Sequence, residues 1–193
     1  MQATDEAARR KLESSFAEHE AVLARCRASL QPAIITVGQV LMRSIQTGGK
    51  IMLCGNGGSA ADAQHIAAEL IGRFKKERRA FAALALTTDS SILTCIGNDY
   101  SFEDIFARQV AGMARAGDVL IGISTSGNSP NVLKAMSEAK RAACVTVALA
   151  GRGGGKLAPL CDHSIVVPSD ETPRIQEMHI MIGHMLCELL EDG

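Results

Sequence analysis

The chain has 193 residues, 47% hydrophobic and 21% charged, a balance that supports one folded domain with a substantial core and excludes a disordered chain. Its 20 basic side chains nearly match 21 acidic ones, so no bulk charge draws it to nucleic acid or anionic lipid, and an anionic ligand must be held by local groups. With 3% aromatic residues and no Trp, it lacks the stacking platforms of single-strand nucleic-acid binders, which points to a small solute.

Residues 5–30 carry Leu12, Phe16, His19, Leu23, Cys26 and Leu30 at alternating steps of four and three, the seam of a helix that packs on another helix. Its partner is either the rest of this chain or a second copy. Pro32 ends that helix, and a second runs to about Gln46, stopped by Gly48 and Gly49. From Lys50 onward, near-continuous apolar runs (Ile51–Cys54, Phe81–Leu86, Val119–Ile123, Val145–Ala150, Ser164–Val167) alternate with helix-like stretches near 60–73, 102–115, 130–142 and 173–191. Such runs are strands of a parallel sheet covered on both faces. The expected fold class is α/β, a three-layer αβα sandwich with a five-stranded parallel sheet. Residues 1–48 form N-terminal helices suited to oligomerisation, and 49–193 form the core of one domain.

Six cysteines are scattered without a C-x-x-C pair, and Cys54, Cys95, Cys144 and Cys187 lie in apolar surroundings. They read as buried, reduced thiols. The charged stretch Met1–Ser15 has no secretory pattern, and no apolar run is long enough to span a membrane. The expected location is cytoplasmic.

In doubly wound sheets ligands sit beyond the carboxyl ends of the strands. After the first strand comes Gly55-Asn56-Gly57-Gly58-Ser59-Ala60. Its glycines let backbone approach an anion, and Ser59 is placed to cap the following helix. The same letters fit G-x-G-x-x-A, a dinucleotide fingerprint, with Asp89 as a distant candidate for the ribose acid. After the third strand stands Ser124-Thr125-Ser126-Gly127-Asn128-Ser129-Pro130, where Ser129 and Pro130 start a helix and four hydroxyls form a neutral phosphate cradle. The segment Gly151–Lys156 reads as a flexible turn in preference to a lid.

His65 and Glu69 are four apart on one helix face, flanked by Gln64 and Arg73. A carboxylate can move a proton between adjacent carbons, and an imidazole or divalent metal can polarise the oxygens. The last helix adds Arg174, Gln176, Glu177, His179 and His184. Gln176 and His184 lie about 12 Å apart along its axis, an awkward separation for two ligands of one ion.

Five segments now read together: Gly55–His65, Leu86–Thr94, Ile96–Tyr100, Ile123–Ser129 and Arg174–His179. Over roughly Gly49 to Leu190 the chain resembles the phosphoheptose isomerases of the sugar isomerase (SIS) fold. That resemblance implies conversion of sedoheptulose 7-phosphate to D-glycero-D-manno-heptose 7-phosphate through an enediol, the first step of ADP-heptose synthesis for lipopolysaccharide or other glycans. It implies Glu69 as base and His184 as partner acid, and zinc held by His65, Glu69, Gln176 and His184. Substrate contacts are implied at Asn56, Gly57, Gly58, Asn98, Asp99, Ser124, Thr125, Ser126 and Ser129, and the expected set also takes in Ser59, Glu69, Arg73 and Gln176. A homotetramer with sites at subunit interfaces completes the expectation. The alternatives are an isomerase for another sugar phosphate, or a non-catalytic adaptor of the same fold that binds the replication initiator and lacks the Glu69–His184 pair.

Overall fold

Strand periodicity of two sends odd and even residues of each strand to opposite faces, and here both faces are apolar. In a computed structural model describing residues 2–192, five strands form one parallel sheet: β1 (Ile51–Gly55), β2 (Ala83–Ala85), β3 (Val119–Ser124), β4 (Val145–Ala150) and β5 (His163–Val166). Their spatial order is β2-β1-β3-β4-β5, so the chain winds one way from β1 to β2 and the other way from β3 onward. The crevice between the ends of β1 and β3 is therefore the topological switch point.

Odd-numbered strand residues (Ile51, Leu53, Ile121, Leu149, Ile165) pack against α1 (Gln2–Ser29), α2 (Gln31–Gln46), α3 (Gly58–Ile71) and α8 (Thr172–Asp192). Even-numbered residues (Met52, Cys54, Leu120, Ala148) pack against α4 (Ser90–Asp99), α5 (Ala107–Met113), α6 (Pro130–Arg141) and α7 (Leu157–Leu160). The three layers and the five strands agree with the expectation. No helix among the described residues is long and apolar enough to cross a membrane.

Several local expectations change. The segment after β2 forms α4, capped by Asp89, whose carboxylate accepts the Ile92 N–H at 2.9 Å. The stretch 102–115 divides into a 3-10 turn at Phe102–Asp104 and α5. The second apolar run supplies only the three residues of β2, and α3 stops at Ile71, before Arg73. All six cysteines are unpaired, but Cys95 is exposed on α4, because that helix buries only Ile96. The α1 seam is half used: Cys26 and Leu30 are buried and Leu23 is half-buried, whereas Leu12 and Phe16 stand 60% and 65% exposed.

Candidate active site

Two loops meet at the switch point. After β1 the chain turns through Gly57, whose φ of 55° belongs to the left-handed region that glycine tolerates, and enters α3. Gly57 occupies the cap position, and Ser59, expected as the cap, instead lies buried in the first turn and packs over Gly55. After β3 the chain enters α6 at Ser129 and Pro130, as the sequence predicts. The Asn56 and Asn131 amides join the two loops by reciprocal hydrogen bonds of 2.9 and 2.8 Å. A helix N-terminus at each loop favours an anion between them.

The hydroxyl loop is organised from within. Ser124 and Ser129 hydroxyls are 2.9 Å apart, and the Asn128 N–H donates to Ser126 Oγ at 3.2 Å. Ser129 makes no side-chain cap, because its hydroxyl turns toward Ser124 and away from the helix. Thr125 and Ser126 are half-buried at the rim. The Gly-rich turn after β4 braces this loop: Asn128 Oδ1 accepts the Lys156 N–H at 3.1 Å, and Gly127 O accepts the Leu157 N–H at 2.9 Å.

Further along α3, His65 and Glu69 meet His184 of α8. His65 Nε2 lies 2.9 Å from His184 Nε2 and 3.3 Å from Glu69 Oε1, and one donor atom from each of the three falls within 4.8 Å of the others. Two imidazole nitrogens and a carboxylate oxygen form a donor set that suits zinc or a similar divalent ion. The group is accessible, with the His65 side chain 49% exposed and Glu69 24%. Phe74, just past the end of α3, stacks on the His184 ring with centroids 5.2 Å apart and planes 18° from parallel.

Gln176 stands elsewhere on α8, with its amide against Gly58, where any Cβ would collide with it. Gly58 and His65 are seven residues apart, about 10 Å along α3. Gln176 thus reaches the first loop, while His184, two turns on, reaches His65 and Glu69. Asn98 and Asp99 end α4, where the Asn98 amide and the Cys95 thiol donate to Asp99 and hold its carboxyl below the usual range. Arg73 is exposed beside Glu77. Gln64 leaves the His65 face and donates to Thr87 Oγ1 at 3.1 Å.

The remaining polar residues of α8 are structural. Arg174 bonds Ser15 O and Glu177, and Glu177 meets His19 at 2.7 Å, tying α1 to α8. His179, a candidate functional residue on the polar side of α8, is instead fully buried and donates from Nε2 to Ala150 O at 3.2 Å. Burial lowers its pKa to about 4, so it is neutral near pH 7. One group was not singled out from sequence: Asp62, half-buried in α3, with Oδ2 unpartnered among the described residues. Burial pushes its carboxyl up to about 6, partly offset by His65. Its position three residues before His65 was the available signal.

The chain is similar to known proteins over most of its length. Residues 16–151 match the SIS domain family. The phosphoheptose isomerase of a Nitratiruptor species is 59% identical over 182 residues, covering 94% of this chain and 97% of the relative. Phosphoheptose isomerase of Campylobacter jejuni is 54% identical with the same coverage. The solved structure of a phosphoheptose isomerase from Neisseria gonorrhoeae superposes with a TM-score of 0.92 at 42% identity, covering 96% of this chain and 99% of that one.

Proposed function

The chain belongs to the phosphoheptose isomerase family of SIS-domain proteins, a family of aldose–ketose isomerases, and from that membership we propose that it converts sedoheptulose 7-phosphate into D-glycero-D-manno-heptose 7-phosphate. The observation that carries the reading is the convergence of His184 of α8 on His65 and Glu69 of α3, the helix that begins at the glycine loop. A phosphate held by Ser124, Thr125, Ser126 and Ser129 at the start of α6 leaves the sugar to run past Asn56, Gly57, Gly58 and Gln176 toward Glu69. Ser59 supports that loop from beneath. Asn98, Asp99 and Arg73 are assigned to sugar hydroxyls or phosphate at the rim.

Glu69 takes the proton from C1 of the ketose, and the electrons of that C–H bond form the C1–C2 double bond of the enediol. His184 gives a proton to O2 and recovers one from O1. Return of the proton to C2 then yields the aldehyde at C1. The ketone lost at C2 balances the aldehyde gained at C1, so no outside oxidant or reductant takes part.

The donor set of His65, Glu69 and His184 fits zinc, with Gln176 as fourth ligand only if its side chain moves or another copy takes part. Bound there, zinc would supply Lewis acidity toward the sugar oxygens. The half-used α1 seam supports a homotetramer, and the cysteines support a cytoplasmic setting. The product would enter ADP-heptose synthesis for lipopolysaccharide or other glycans.

Glu69→Gln tests the base. Turnover should fall at least about a hundredfold, and deuterium incorporation at C2 in D2O should slow in step with it, while sugar-phosphate affinity by calorimetry stays within about threefold. Wild-type turnover in this variant would remove Glu69 from the reaction.

A further inference from the structure

His184 must present one particular nitrogen to His65 and Glu69, yet a half-buried imidazole can still turn about its side-chain bonds. The structure restrains it. The Phe74 ring lies flat on His184, whose edge meets the His65 ring at 62°. A flat aromatic partner fixes the plane of the imidazole while leaving both nitrogens free.

Phe74 belongs to no helix or strand, so its own position needs an anchor. Glu191 provides one. It lies two turns beyond His184 on α8, and its side chain is only 1% exposed. Its Oε1 accepts the Phe74 N–H at 2.8 Å, and its Oε2 accepts the Lys75 and Lys76 N–H groups at 2.8 and 3.0 Å. Arg78 lies 3.2 Å from the same carboxylate and donates to Glu69 O at 2.8 Å and Leu70 O at 3.0 Å, two carbonyls in the last turn of α3. Burial raises the Glu191 pKa, but the three N–H donors and Arg78 outweigh it and hold the carboxyl below its usual range. The buried carboxylate therefore binds the end of α3, the 74–76 segment and α8 into one unit.

We propose that Phe74 is a positioning residue, held by Glu191, that fixes the His184 ring so that its Nε2 faces His65 and Glu69. This rests on the proposed isomerase reading but concerns a residue outside the reacting set. A ring that only fills space would be replaceable by any side chain of similar volume, whereas an orienting ring requires a flat face.

The test compares Phe74→Leu, Phe74→Tyr and wild-type protein in three measurements: sedoheptulose 7-phosphate kinetics, zinc affinity by competition with a chelator, and thermal unfolding. Loss of an outer partner of a metal-binding histidine costs on the order of 10–100-fold in metal affinity or activity. Phe74→Leu should lower kcat and zinc affinity by about tenfold or more, with KM within about twofold and the protein still folded. Phe74→Tyr should stay within about threefold of wild type on both counts. Equal kcat and equal zinc affinity in the Leu variant and wild type would overturn the proposal, as would equal losses in the Leu and Tyr variants. The zinc titration needs no turnover, so a wild-type protein that fails to isomerise the sugar would sink the proposed activity while the order of affinities still decides the role of Phe74.

Discussion

His179 places an uncharged imidazole against the carboxyl end of β4, hydrogen-bonded to its last residue. Its folded pKa of about 4 lies below the ordinary 6.5, so the unfolded chain binds more protons between those values. Stability from this residue is complete above about pH 6.5 and is lost as pH falls toward 4, amounting to about 3 kcal/mol over the whole window. His179→Gln removes that contribution. Urea midpoints at pH 7 and pH 4.5 should separate further for wild type than for the variant, and equal separations would contradict a buried neutral imidazole. At this scale the sequence was informative where spacing alone joins groups, as in His65 and Glu69 four apart on α3. It was uninformative where a helix face had to be assigned to core or solvent, since His179 and His184 differ only in what packs against α8.

Between elements, the principal contact of the site is the seat of the Ser124–Ser129 loop on the Gly-rich turn after β4. Gly127 has φ of 63°, and a Cβ there would strike the backbone carbonyl of Gly154. Neither strand nor helix can yield easily, because β3 and β4 are paired along six residues. Gly127→Ala should therefore destabilise the protein by more than about 1 kcal/mol, lower its melting temperature, and raise KM for the sugar phosphate more than it lowers kcat. An unchanged KM would separate this turn from the phosphate loop. The strands and most helices were legible because continuous apolar runs and 3.6-residue periodicity survive in the letters. The α4 helix was not: Leu93 and Ile96 give it only a narrow apolar face, and its Asp89 cap also matched the rival dinucleotide pattern. The Arg78–Glu191 link joins residues 113 apart and leaves no local sequence signal.

The whole molecule presents an apolar groove of about 550 Å³ lined by Leu23, Cys26 and Ile34 with Met181, Ile182 and Met185. Beside it Ile35, Met185 and Leu189 are exposed, and Leu12 and Phe16 continue the apolar line along α1. A helix seam of this kind left open to water favours association, in keeping with the proposed tetramer. Replacing Leu12 and Phe16 together by Glu should reduce the mass measured by light scattering to that of a smaller assembly without unfolding the subunit. An unchanged mass would place any subunit contact elsewhere. Activity should fall with the mass if the exposed side of His65 and Glu69 is completed by another copy.

Isomerisation of a seven-carbon sugar phosphate at the Glu69–His184 site can be measured as turnover of sedoheptulose 7-phosphate by metal-stripped protein, with and without added zinc. Formation of D-glycero-D-manno-heptose 7-phosphate is expected, with zinc raising the rate if His65, Glu69 and His184 hold it during catalysis. No product in either sample, from folded protein, would contradict isomerisation of this sugar and favour another sugar phosphate or a non-catalytic role for the same fold.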